Sequence, residues 1–163
     1  MMLSKPSELV LDTHAIKILL LEKGEVRERF IRLVREECHT LVIPNLRPEI
    51  KARIGIETFG QLVAHLATQL KGKFLVLKPP KRRAFDESRE CLKGTKRRAS
   101  RMDILIAATA YDRARKTGKP VVIVSNDPAF HQATCLRRLK IHVEAVDAFK
   151  TGSEGSRHHR SRG

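Results

Sequence analysis

The sequence is poor in aromatic residues, with six Phe, one Tyr and no Trp among 163 residues. Its core must therefore be built from Leu, Ile, Val and Ala. Cysteine is scarce as well: Cys38, Cys91 and Cys135 stand far apart, with no CxxC pair. That spacing favours neither a zinc site nor a disulfide framework, so three reduced, buried thiols are expected. No apolar run approaches the roughly 20 residues of a membrane-spanning helix. The first twelve residues, MMLSKPSELVLD, lack the long apolar stretch of a signal peptide. A soluble, cytoplasmic protein with no membrane partner is the expectation. Glycine does not gather into a phosphate loop either. Asp12-Thr13-His14 stands where a nucleotide-binding fold would place its glycine-rich turn.

Acidic residues are the other deficit. Eighteen face 33 Lys and Arg, a net charge of +15. A thermophile-like charged surface would carry matching Glu. The imbalance instead favours a polyanionic partner, nucleic acid before an anionic membrane surface. The charge is concentrated: residues 71–101 hold twelve Lys or Arg against Asp86, Glu87 and Glu90. Lys81-Arg82-Arg83 and Lys96-Arg97-Arg98 are the densest runs, and Arg101 follows. This basic segment, 81–100, lies within one domain of residues 1–150, a length that can bury a core. Residues 151–163 have no apolar side chain, so a disordered basic tail is expected.

Apolar runs bounded by turn residues predict strands at Glu8–Leu11, Leu41–Ile43, Phe74–Leu77, Val121–Val124 and His142–Val146. Helical spacing predicts helices at Ala15–Leu21, at Val26–Glu37, around Leu62, Leu66 and Leu70, from Asp103 to Gly118, and across His131–Leu139. A short helix capped by Asn45 and ended at Gly55 would carry Glu49. Strands alternating with helices imply a mainly parallel, helix-covered sheet, an α/β fold.

Asp12 ends the first strand, Asp127 lies three residues past the fourth, Asp103 opens a helix, and Glu49 follows the second strand. Parallel strands bring their carboxyl ends to one edge, so these four acids can converge. Crowded carboxylates repel unless cations neutralise them. Hard oxygen donors without Cys or His suit Mg²⁺ or Mn²⁺. Beside a basic surface, such a centre points to phosphodiester chemistry. Each acid also has an ordinary reading: Asp12 and Asp127 as turn residues or helix caps, Asp103 as a first-turn capping acid, and Glu49 as a surface glutamate. Asp112 faces the opposite side of its helix from Asp103 and is set aside. Asp86 and Glu90 suit surface ion pairs. His14 suits a hydrogen-bonded structural role as well as a base or ligand. Thr13, Ser125 and Asn126 are short polar side chains suited to holding the acids in place.

In this order LVLDTHAI, IPNLRPEI, RMDILIAATA and IVSNDPAF resemble the four acidic motifs of PIN-domain nucleases, over residues 8–146. The resemblance implies a three-layer α/β/α fold with a central, mainly parallel sheet of five strands. It further implies that Asp12, Glu49, Asp103 and Asp127 are the catalytic, metal-binding carboxylates for Mg²⁺ or Mn²⁺. The implied activity is RNA cleavage; by their charge, Lys81, Arg82, Arg83, Lys96, Arg97, Arg98 and Arg101 would contact RNA phosphates. Many small members are VapC-type toxins, which implies an antitoxin partner and a homodimer; others process RNA. The chain departs from the pattern in its enlarged basic segment and in Pro48 immediately before Glu49. Two rivals stand beside this expectation: a non-catalytic RNA-binding module on the same fold, and a Mg²⁺-dependent phosphatase. A haloacid-dehalogenase-type phosphatase would want Asp where His14 stands.

Overall fold

Short apolar runs become strands here because both faces of the sheet are covered and polar residues punctuate each end. The computed structural model describes residues 5–22, 24–44, 52, 55–76, 80–94 and 99–150. Its strands are β1 (Glu8–Leu11), β2 (Thr40–Ile43), β3 (Phe74–Val76), β4 (Val121–Val124) and β5 (Ile141–Glu144). All pair in parallel, in the order β3-β2-β1-β4-β5. β1 and β4 are buried at every position, whereas the edge strands β3 and β5 are partly exposed.

Helices among the described residues include α1 (Thr13–Ile16), which runs on as a π-helical turn over Lys17–Leu21, α2 (Glu25–Glu36), α3 (Ile56–Leu70), α4 (Arg82–Lys93), α5 (Arg101–Thr117), α6 (Pro128–His131), α7 (Thr134–Arg138) and α8 (Asp147–Lys150). α2 packs on the π-helical turn, α3 and α8, while α5 packs on α4, β1 and β4. The result is the expected three-layer α/β/α architecture. The chain winds outward from β1 through β2 to β3, then returns through α4 and α5 to place β4 on the other side of β1. The strand order thus reverses between β1 and β4, the position where open α/β sheets form a ligand crevice.

Several boundaries differ from expectation for identifiable reasons. The stretch His131–Leu139 is two helices, because Ala133 takes a non-helical backbone (φ −82°, ψ 84°) between α6 and α7. β5 ends at Glu144, since the Val146 N–H donates to Asn126 Oδ1 (2.8 Å). α8 then buries Phe149 edge-on against Phe30, with ring centroids 6.0 Å apart. α5 starts at Arg101, with Ser100 as its cap, and Gly118 in the left-handed region (φ 66°) ends it. Glu49, Leu77, Lys96, Arg97, Arg98 and the tail 151–163 lie outside the described residues. No helix among the described residues is long and apolar enough to cross a membrane.

The expectation of three reduced, buried thiols is overturned. Cys91 and Cys135 form a disulfide with Cα atoms 5.8 Å apart, joining α4 to α7. Their separation of 44 residues has no local spacing signature. Cys38 is exposed and adopts a left-handed backbone (φ 58°) just past α2. There its N–H donates to Arg35 O and the His39 N–H to Val34 O, a Schellman-type closure that usually falls to Gly.

A charge also sits unannounced in the central strand. Glu8 opens β1 almost wholly buried, and Arg113 of α5 grips it with both arms, Nε to Oε1 at 2.6 Å and Nη2 to Oε2 at 2.8 Å. The carboxylate holds the Arg113 pKa above its usual value. Removing one partner of such a pair strands a buried charge. Arg113→Ala is therefore expected to lower unfolding free energy by about 3 kcal/mol in urea titrations. A loss under about 0.5 kcal/mol would show that the pair contributes little. The disulfide gives a second expectation. Cys135→Ser should lower stability by about 2–4 kcal/mol relative to the oxidised protein, and a reductant should reproduce the loss only in the wild type.

Candidate metal centre at the β1/β4 edge

Leu11 and Val124 pair across β1 and β4, so the residues that follow them leave the sheet side by side. The ladder extends slightly beyond the strands: Asp12 N–H donates to Val124 O (3.3 Å), and Ser125 N–H to Glu144 O (2.9 Å). Asp12 then starts α1, and its Oδ1 accepts the Ala15 N–H at 2.7 Å. Asp127 starts α6 in the same way, accepting the Ala129 N–H at 2.9 Å.

Ser125 joins the two acids. Its hydroxyl, fully buried, accepts the Asp127 N–H (2.9 Å), and it hydrogen-bonds the Asp12 carboxyl. Because a hydroxyl has one proton and two lone pairs, it can donate to Asp12 while accepting from Asp127. Asp12 is 7% exposed. Burial pushes its pKa up, and the nearby Asp127 charge adds to that rise; Ser125, the Ala15 N–H and His14 oppose it. Two carboxylates are thus held close enough to repel, one of them poorly solvated.

The other expected site residues are placed less directly. Asp103 is buried in the first turn of α5, but its side chain is engaged: Oδ2 accepts the Ser100 N–H (2.9 Å) while Ser100 Oγ accepts the Asp103 N–H (3.1 Å). This is a reciprocal capping box. Thr13 is half-buried at the start of α1, and His14 is exposed. Asn126 turns its carbonyl oxygen to Val146. Asp112 pairs with Lys116 at 3.1 Å, in keeping with its place away from the acids. Lys81, Arg82, Arg83 and Arg101 are all exposed. Arg83 is paired with Glu87 (3.1 Å), Arg89 with Asp86 (3.5 Å) and Lys93 with Glu90 (3.7 Å), the surface pairing expected of those acids.

All three described acids therefore serve as helix-capping groups, and Asp12 and Asp127 additionally share a hydroxyl. Among the described residues, no three His, Cys, Asp or Glu are grouped so as to hold a metal ion. Two hard-oxygen donors at a strand switch point suit a divalent cation with several of its own waters, the usual habit of Mg²⁺. The Ser125 link was foreshadowed by the Ser-Asn-Asp sequence, since Ser commonly bonds the N–H two residues on.

No protein-family model matches this sequence, and no curated protein matches it. The crystal structure of PAE2754 from Pyrobaculum aerophilum is similar over 90% of this chain and 96% of that one, at 19% identity and a TM-score of 0.48.

A test of the electrostatics follows from the raised Asp12 pKa. A carboxyl that binds its proton more tightly when folded adds stability at low pH and loses that contribution as pH rises through its folded value. At neutral pH the ionised Asp12 therefore works against folding of the metal-free protein. Asp12→Asn keeps the cap, since Asn is an equally good capping residue. The variant should melt above the wild type at neutral pH, and the gap should close as pH falls below about 4, the ordinary Asp range. A lower melting temperature at neutral pH would contradict this account.

Proposed function

We propose that this protein is a divalent-metal-dependent endoribonuclease, hydrolysing phosphodiester bonds at the carboxyl edge of β1 and β4. The observation that carries the reading is the Asp12–Ser125–Asp127 junction at the strand switch point, with Asp12 buried and pushed toward its neutral form. Asp12 and Asp127 would hold Mg²⁺ or Mn²⁺, and Asp103 and Glu49 complete the acidic set that the PIN-type motifs suggest. A bound ion supplies charge neutralisation at a phosphate and a more acidic water. The chain's own part is to hold two anionic oxygens in fixed positions through the α1 and α6 caps. Ser125 keeps the two loops in register, and the basic residues of α4 and of the α5 start attract the polyanion. A cytoplasmic location, a homodimer and an antitoxin partner belong to the toxin form of this proposal.

A second reading is supported by the capping roles: the same acids on an RNA-binding module that cleaves nothing. Incubation of purified protein with RNA separates the two. Cleavage is expected with Mn²⁺ or Mg²⁺ and not with EDTA. Asp12→Asn and Asp127→Asn should each remove it, while Ser125→Ala should cost about 10–100-fold, as loss of an outer support does. Metal-dependent cleavage that survives both Asp substitutions would overturn the assignment. RNA binding without cleavage under any metal would favour the second reading.

A further inference from the structure

The positive charge of α4 is not spread evenly around the helix. Ala84, Ser88 and Leu92 form its buried stripe, four residues apart, against the core. Arg83 is occupied by Glu87, and Lys93 by Glu90. Arg82, Phe85, Asp86 and Arg89 recur at spacings of three and four, so they share another face. Across from that face stand Arg101 and Ile104 of the α5 start, again three apart. Together these six residues line an open groove of about 680 Å³. Neither Arg82 nor Arg101 has an ion-pair partner among the described residues, and the Arg89–Asp86 contact is long (3.5 Å) between two exposed side chains. The groove therefore presents three guanidinium groups against one carboxylate, with Phe85 and Ile104 as an apolar floor.

Arg101 lies two residues before Asp103, about 200° around the helix. The groove and the Asp103 side of α5 are thus the two flanks of one helix start, and a chain leaving the groove over that start meets the acidic edge.

We infer that this groove binds successive phosphates of a single nucleic-acid strand, with Arg82, Arg89 and Arg101 as the contacts and Asp86 as the competing anion. The inference rests on the proposed nuclease reading for its choice of polyanion, although the groove itself reads phosphate and not sugar. Guanidinium forks match phosphate oxygens with two parallel hydrogen bonds. Asp86 yields Arg89 when a phosphate replaces it.

The test is binding without catalysis, so its failure is separable from failure of the nuclease reading. A fluorescein-labelled single-stranded oligoribonucleotide is titrated with full-length protein in EDTA at several KCl concentrations. Arg82→Gln/Arg101→Gln should lower the slope of log affinity on log salt by about 1.4, roughly 0.7 for each lost contact. Lys71→Gln/Lys119→Gln removes equal charge from exposed positions that precede β3 and β4 at the opposite sheet edge. It should leave the slope unchanged. Asp86→Asn should tighten binding, and single-stranded DNA of the same sequence should show the same pattern. Equal slope losses in the two double variants, or an unaltered slope in the groove variant, would overturn the assignment. Melting curves for each variant check that a loss is not unfolding.

Discussion

The parallel, in-register pairing of β1 with β4 is the constraint on which the rest of the molecule depends. It places Asp12 and Ser125 beside each other at one edge and puts Glu8 against α5 at the other. Slipping this pair by one residue would turn the side chains to opposite faces and separate the acids from their common hydroxyl. The buried faces of both strands and the Glu8–Arg113 grip oppose such a slip. Strand pairing, core packing and candidate chemistry therefore share one determinant.

Local signals made much of this legible. Val121–Val124 reads as a buried strand because four β-branched residues stand between Pro120 and Ser125, and the structure places it so. Gly118 ends α5 because only a residue tolerant of φ > 0 fits there. The acids were found by their places relative to strand ends and a helix start, and those places also explain their capping roles. Position selects a carboxylate for two reasons at once: free N–H groups at a helix start attract it, and so would a cation.

What the sequence hid was long-range. The Cys91–Cys135 bond and the Glu8–Arg113 pair depend on how α4, α5 and α7 pack in the folded chain, and neither has a spacing rule. Glu8 reads as a strand's polar boundary until Arg113, 105 residues away, is seen beside it. The break at Ala133 lies in a helix-compatible stretch, where its non-helical backbone separates α6 from α7. The sorting of α4 charges into paired and groove-facing sets depends likewise on where α5 begins. Net charge alone favours a polyanionic partner; only the packing sorts the basic residues of α4 by face.

The central claim is that Asp12 and Asp127 together hold a divalent cation. The most direct measurement is the paramagnetic broadening of backbone amide NMR signals on addition of substoichiometric Mn²⁺. Selective loss of the signals of residues 12–15 and 125–129, reversed by excess Mg²⁺ and absent in the Asp12→Asn protein, is the predicted result. Broadening confined to other acids such as Asp86 and Glu90, or no selective broadening at all, would contradict it.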